Sequence, residues 1–301
     1  MPRLSSFDLR LIRVFEAVVE CGGFAAAQSR LNISTSTIST HISDFEKRIG
    51  FRLCERGRSG FRLTERGRLV YEESRKLLNR IDAYGASLAE MKDRLAGRLS
   101  IGFVDCLVSH PDFPLPNIVH SINVKNPDVE FELVVDSRHE LERAVLDERL
   151  HVAIGPFVRS IAGLEFIPLF EERHEVFCGA RHPLFESVQT SFSSADLADH
   201  PAAIRDYNLD FDIERFGNLT VGARISSIDA VAVLVLSGRF VGFLPSHFAA
   251  KWVKSGQMRA LPGENLSYLS QQSLILKPSA RQSSLVSALL EEVEREARGG
   301  R

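Results

Sequence analysis

The chain has little cysteine, and what it has is scattered. Cys21, Cys54, Cys106 and Cys178 form no CxxC pair among 301 residues. That spacing excludes a zinc ribbon or a thioredoxin-like motif and predicts free thiols in a cytosolic chain. Long apolar runs are missing too. The longest, Ala230–Leu236, is far short of the ~20 residues of a membrane helix. The start, Met-Pro-Arg-Leu-Ser-Ser-Phe-Asp, lacks the apolar core of an export signal, so a cytoplasmic location is expected. Nine histidines show no metal-ligand spacing, so no metal is expected. GxSxG, GxGxxG, P-loop and HExxH motifs do not occur, and isolated Ser, His and Asp residues imply no triad. Neither an enzyme nor a cofactor is indicated.

Apolar residues make up 44% of the chain, enough for folded cores and too many for disorder. The length suggests about two domains at roughly 150 residues each. The net charge of −2 hides an asymmetry. Residues 1–96 carry 17 Lys/Arg against 12 Asp/Glu, a balance of +5, and the remainder stands at −7. Local positive charge is what a polyanion partner needs.

That charge surrounds the most informative stretch, residues 34–68. Ile38, Ile42, Phe45 and Ile49 fall at i, i+4, i+7 and i+11, one apolar stripe of a helix. The opposite face holds Ser36, Thr40, Ser43 and Lys47, short hydroxyls and a cation able to reach phosphates or base edges. A Ser/Thr-rich surface helix is the plainer alternative, but these residues are mediocre helix formers and their density would go unexplained. Upstream, Phe7, Leu11, Val14, Phe15, Val18 and Val19 make an amphipathic helix that stops at Cys21-Gly22-Gly23. A short helix follows, with Ala25, Ala26, Ala27 and Leu31 as its packing face. Asn32 breaks it, and Ser34 is placed to cap the next helix. Downstream, Gly50 ends that helix. Phe51 to Leu63 reads as a hairpin bearing Arg52, Arg56, Arg58 and Arg62. The order is that of a winged helix-turn-helix.

At these residues the chain resembles the LysR-type transcriptional regulators. The resemblance rests on Ala25-Ala26-Ala27, Ser36-x-Ile38-Ser39-x-x-Ile42, Phe45-Glu46, Ile49-Gly50, Leu53-x-x-Arg56 and Leu63-Thr64-x-x-Gly67, in the family's order and spacing. Two departures stand out. Gly23 replaces a frequent Ser, and Thr35 and Thr40 replace a frequent Gln and Arg. The scaffold survives both, but long bidentate base readers are missing at those positions. The resemblance implies that Ser34, Thr35, Ser36, Thr37, Ser39, Thr40 and His41 face DNA, with Arg56, Arg58 and Arg62 on the wing.

Thr64 is placed to cap a long helix whose Leu77, Ile81, Tyr84, Leu88, Met91 and Leu95 step by four and three, with Val70 one heptad before them. That is a dimer seam; packing on its own domain is the alternative. After Gly97 the pattern turns to alternating strands and helices. Strands are expected at 98–104, 129–135 and 151–155, with helices at 115–125 and 140–149, a βαβαβ order with a parallel sheet. Further strands are expected near Leu164–Phe170, Glu175–Ala180, Ala202–Arg205, Leu219–Ala223, Phe240–Pro245 and Ser267–Leu276, and a last helix near Ser279–Glu296.

By resemblance this half is a two-lobed α/β effector domain like a periplasmic binding protein. Lobe one would hold 97–161 and 268–301, and lobe two 162–267. Residues 1–64 would form the DNA-binding domain and 65–96 the linker helix. Small ligands would bind between the lobes at strand ends and helix starts. Those ends supply Asp105, Cys106 and Leu107; Ser137 and Arg138; Gly155 and Pro156 beside Phe157; Arg205 with Asp206; Ser226 and Ser227; and His247. Arg138, Arg205 and His247 have the chemistry to hold a carboxylate, whereas Asp105 would repel an anion unless paired.

The expected protein is therefore a homodimer, or a dimer of dimers, that binds promoter DNA and senses an unidentified small molecule, with RNA polymerase as a possible partner and no membrane. A constitutive or redox-responsive regulator without a metabolite ligand is the alternative. A free-standing solute-binding protein would not carry a winged helix and a dimer seam. An architectural DNA protein would not need about two hundred residues of α/β domain.

Overall fold

The structure, a computed structural model, describes residues 5–57, 60–90, 95–157, 161–206, 209–216 and 220–299. The chain divides into a unit of residues 1–88 and a second holding nearly all the rest. No helix among the described residues is long and apolar enough to cross a membrane.

In the first unit, α1 (Ser6–Glu20) opens on a capping box: Ser5 and Asp8 bond each other's backbone N–H groups. Arg48 pairs with the same Asp8 carboxylate and so fastens the end of α3 to the start of α1. Helix α2 (Phe24–Leu31) starts after Gly23, whose φ of 150° suits glycine, and ends on the left-handed Asn32. Helix α3 (Thr35–Ile49) has Ser34 as N-cap, accepting the Thr37 N–H at 3.2 Å, and Gly50 as left-handed C-cap. Ile38, Ile42 and Phe45 are buried as the stripe requires, and Ile49 covers the core's edge. They meet Leu11, Phe15, Val18 and Ala27. Burial of each large side chain stabilises the unit by roughly 1.5–3 kcal/mol.

Strands β1 (Cys54–Gly57) and β2 (Gly60–Leu63) pair antiparallel as the wing. Glu46 ties this hairpin to α3, its Oε1 accepting from Leu53 N–H at 2.7 Å and Cys54 N–H at 3.3 Å. Thr64 caps α4 (Glu65–Glu90) through the Gly67 N–H at 2.9 Å. A Cβ on Gly67 would stand 1.9 Å from the Leu53 carbonyl oxygen, so the Thr-x-x-Gly spacing lets α4 touch the wing's backbone.

On α4 the first half of the expected seam also packs within its own unit. Its fully buried stripe is Ser74 and Leu78 with Tyr71 beside them, on the unit's own core. Val70, Leu77 and Ile81 also lie against that core, half-buried, while Tyr84 is exposed. Leu95 lies past the described end of the helix. Met91 and the side chain of Leu88 lie outside the described residues.

In the second unit β3 (Gly97–Phe103) runs parallel to β4 (Val129–Val135) and β5 (Val152–Gly155), linked by α5 (Leu115–Lys125) and α6 (Arg138–Leu146). The next strand, β6 (Glu165–Gly179), is one long strand, not the two expected, and Glu171–His174 fill the supposed gap. Beyond a short α7 (Ser194–Leu197) come β7 (Pro201–Arg205), α8 (Leu209–Phe216), β8 (Thr220–Ile225), α9 (Ile228–Leu236), β9 (Val241–Pro245), α10 (Ser246–Lys254) and β10 (Met258–Ala260). Strand β11 (Ser267–Leu276) returns antiparallel to β6, and α11 (Ser284–Gly299) closes the chain. The strand order is β4-β3-β5-β11-β6-β9-β7-β8, with β10 beside β6.

This order explains two lobes. The end of β11 pairs with β5 in one lobe, and the end of β6 pairs with β9 in the other. The middles of β6 and β11 cross between the lobes, with a bulge at Gln272/Ser273. Apolar clusters lie on either side, one around Leu141, Val145 and Ile275, others around Val176, Phe243 and Val231.

Candidate functional site

The exposed face of α3 holds Ser36, Thr40 and Lys47, with Ser39 and Ser43 half-buried. Several hydroxyls already have local work. Ser34 caps the helix and bonds the hydroxyls of Ser36 and Thr37, each at 2.8 Å. Thr40 donates to the Ser36 carbonyl at 3.1 Å, and Thr35 donates to the Gln28 amide oxygen at 2.8 Å. His41 departs from its expected role. Both ring nitrogens are buried, so it offers no polar atom to a duplex. On the wing Arg62 is exposed, and Phe61 packs edge-on to Phe24 at 5.9 Å, fixing the wing against α2. Arg58 and the side chain of Arg56 lie outside the described residues. Gly23, Ala25, Ala26, Thr35, Ser36, Ser39 and Phe61 line a shallow recess on this face. Small side chains leave room there for groups of a docked partner.

The second unit encloses a cavity of about 460 Å³ where β6 and β11 cross. Of the expected residues, Asp105, Ser137, Arg138, Pro156, Arg205, Ser226 and Ser227 line it. Cys106, Leu107, Gly155 and His247 do not. Leu107 is fully buried in the core, Cys106 packs behind the α9 cluster, and His247 stands one hydrogen bond behind the wall. Asp206 and Phe157 are also off the wall, and Phe157 is a core residue. The lining missed from sequence includes Glu172, His174, Phe211, Arg215 and Tyr268.

Glu172 organises the floor. It is 5% exposed and accepts from His174 Nε2 at 2.7 Å, His247 Nε2 at 2.8 Å and Gln272 Nε2 at 3.2 Å. Burial pushes its carboxyl up, but the hydrogen bonds from the two histidines outweigh it and hold the group at about 2. Burial also holds His174 below the usual imidazole range, so its Nε2–H donates from a neutral ring. Its Nδ1 is buried without a partner among the described residues, and the ring stacks on Tyr268 at 4.7 Å. Burial pushes the Tyr268 hydroxyl up to about 12, so it stays protonated.

The arginines are not equivalent. Arg205 is buried and matched by Asp212, which takes its Nε at 3.0 Å and its backbone N–H at 3.2 Å. Its expected role as a carboxylate binder gives way to a structural ion pair, since a matched buried charge is costly to unpair. Arg215 donates to the Ser267 carbonyl at 3.1 Å and lies over Phe211 and Tyr268. Arg138 is half-buried at the start of α6, with Glu142 3.9 Å away.

Asp105 has found the partner it needed. Its Oδ2 accepts the Ile228 N–H at 2.7 Å, at the positive start of α9. Ser227 caps the same helix through the Ala230 N–H at 3.2 Å. Desolvation still raises the Asp105 carboxyl, with the Ile228 bond opposing it. Asp105 follows β3 and Ile228 starts α9, so this bond links the lobes. Ser109 and His247 make a second link, Oγ to Nδ1 at 2.9 Å. All four cysteines are free. Burial raises the thiols of Cys106 and Cys178, the latter to about 11, the opposite of a reactive thiolate.

Comparison with known proteins places both units. Residues 9–68 match the model of the bacterial regulatory helix-turn-helix protein, LysR family, and residues 92–298 match the LysR substrate binding domain. The chain is 35% identical over 294 residues to the HTH-type transcriptional activator BauR of Pseudomonas aeruginosa, covering 97% of this chain and 96% of that one. It is 28% identical to the SDS degradation transcriptional activation protein of a Pseudomonas strain, over 88% of each. Its fold matches full-length CbnR in complex with its target DNA, with a TM-score of 0.68 at 20% identity, over 96% of this chain and 99% of that one.

Proposed function

The chain belongs to the LysR family of bacterial transcriptional regulators, and we propose that it acts as a ligand-responsive activator on promoter DNA. The observation that carries this reading is one chain with both devices. It has a winged helix with a hydroxyl-faced α3, and a two-lobed unit whose lobes are bonded across a polar cavity. On this reading residues 1–64 serve DNA, 65–96 form the linker helix and 97–301 hold the effector.

Ser36, Ser39 and Thr40 meet base edges or phosphates, and Arg62 meets the backbone from the wing. Two copies associate, the exposed Tyr84 side of α4 forming part of the contact, so that two α3 helices reach neighbouring half-sites. The activator role rests on the relative that is 35% identical and named as an activator.

The effector is a small polar molecule in the cavity beside Ser137, Arg138 and Ser226. It competes with the bonds that hold the lobes, Asp105 to Ile228 and Ser109 to His247, and so shifts the balance of lobe arrangements. The high thiol values of Cys106 and Cys178 favour this over redox sensing.

The test is sequencing of genomic fragments retained by the full-length protein, with and without a library of small metabolites. Retention of a few discrete fragments, altered by at least one metabolite that also raises the melting temperature, is expected. Retention without sequence preference would refute the regulator reading.

A further inference from the structure

A polar side chain from the preceding helix also reaches the start of α3. Gln28 sits on α2, exposed, one turn beyond Phe24 and Ala25. Thr35, the first residue of α3, donates its hydroxyl hydrogen to Gln28 Oε1 at 2.8 Å. The recess that Thr35 lines holds the small groups Ala25, Ala26, Ser36 and Ser39 beside Phe24 and Phe61. An exposed glutamine normally samples many rotamers and offers its amide either way round. Here one hydroxyl anchors the oxygen end.

We propose that Gln28 is a base-reading residue that specifies adenine, held in register by Thr35. This rests on the reading of α3 as the DNA-facing helix. Adenine presents an acceptor, N7, beside a donor, the N6 amino group, in the major groove. A glutamine amide matches both when Nε2–H donates to N7 and Oε1 accepts from N6. The Thr35 bond uses one of the two lone pairs on Oε1 and leaves the other for N6. Guanine presents two acceptors, so Oε1 would face O6 with no hydrogen between them. A fixed amide also loses less conformational freedom on docking than a free one.

The experiment is selection of bound sequences from a randomised duplex pool by the full-length protein, its Gln28→Ala, Gln28→Glu and Thr35→Ala variants, and Ser36→Ala for comparison. Wild type should prefer adenine about tenfold at one position in each half-site. Gln28→Ala should equalise the bases there and leave other positions intact. Thr35→Ala should weaken that preference severalfold. Gln28→Glu should move it towards cytosine, whose N4 donates to a carboxylate. Circular dichroism confirms that each variant folds. An unchanged motif with Gln28→Ala would overturn the proposal. Uniformly weaker binding with the same motif would overturn it too, and would mark Gln28 as a phosphate contact. If Gln28→Ala keeps the motif while Ser36→Ala alters it, the DNA-facing reading of α3 stands and only the role of Gln28 falls. A wild type that selects no motif would sink both.

Discussion

Replacing Glu172 by Gln probes the floor of the cavity most directly. The carboxylate is buried and accepts three side-chain hydrogen bonds, two of them from histidine. An amide is nearly the same size, but it carries two donors of its own. One must face an imidazole N–H, so at least one bond is lost and a buried donor is left unmatched. The carboxyl is held at about 2, against about 4.5 in the unfolded chain. That difference corresponds to about 3 kcal/mol at neutral pH. Glu172→Gln should therefore destabilise the second unit by roughly 2–4 kcal/mol, or about 5–15 °C in melting temperature. Trp252, the chain's single tryptophan, lies on α10, so its fluorescence during urea unfolding reports that unit alone.

The pH dependence has a definite sign. Between about pH 4.5 and 2 the unfolded carboxyl binds a proton that the folded one refuses. The contribution is thus complete above about pH 5 and is lost as pH falls through that window. The gap between wild type and Glu172→Gln should narrow on acidification. A gap under 1 kcal/mol at pH 7, or one that stays constant down to pH 3, would show that the histidine bonds do not stabilise the charge.

Three further outcomes follow from particular contacts. Gly67→Ala, a change that favours an ordinary helix by up to ~1 kcal/mol, should instead destabilise the first unit by more than 2 kcal/mol, because its Cβ would collide with the Leu53 carbonyl; a neutral urea midpoint would show that α4 can shift away. Asp105→Ala uncovers the Ile228 N–H at the start of α9, so millimolar acetate or succinate should raise the variant's melting temperature more than that of wild type, and equal shifts would mean the helix start is not an anion site once vacated. Arg62→Ala should weaken binding to all DNA sequences and reduce the slope of log affinity against log salt by about one, whereas an unchanged slope would remove this arginine from the backbone contacts.

What could be read in advance was whatever the chain specifies within a few neighbouring residues. Ser34 and Gly50 bracket α3 because a hydroxyl can reach an N–H three residues on and glycine accepts a left-handed φ. The Ile38, Ile42, Phe45 stripe lies on one side of a helix whatever it packs against. On α4 the same approach found only part of the pattern. Leu77 and Ile81 keep heptad spacing, but the most buried stripe includes Ser74, and a serine within an apolar row hides the period.

The cavity was the least legible part, for a physical reason. Glu171-Glu172-Arg173-His174 reads as a solvated break between two apolar strands, since charges rarely occupy a strand interior. They do so here because the strand crosses between lobes and its polar middle finds partners far along the chain. Glu172 meets His247 75 residues away and Gln272 100 residues away. Arg215 meets Ser267 at a separation of 52. None of these pairs leaves a periodic trace, and each residue taken alone looks like surface. Asp105 marks the boundary between the two cases. Its place at a strand end made it a cleft residue, and its charge made it an anomaly there. The Ile228 N–H that resolves the anomaly lies 123 residues on, at the start of a helix that is itself well marked by the Ser227 cap. An unmatched charge at a strand end is therefore a reason to look for a helix start on the facing lobe.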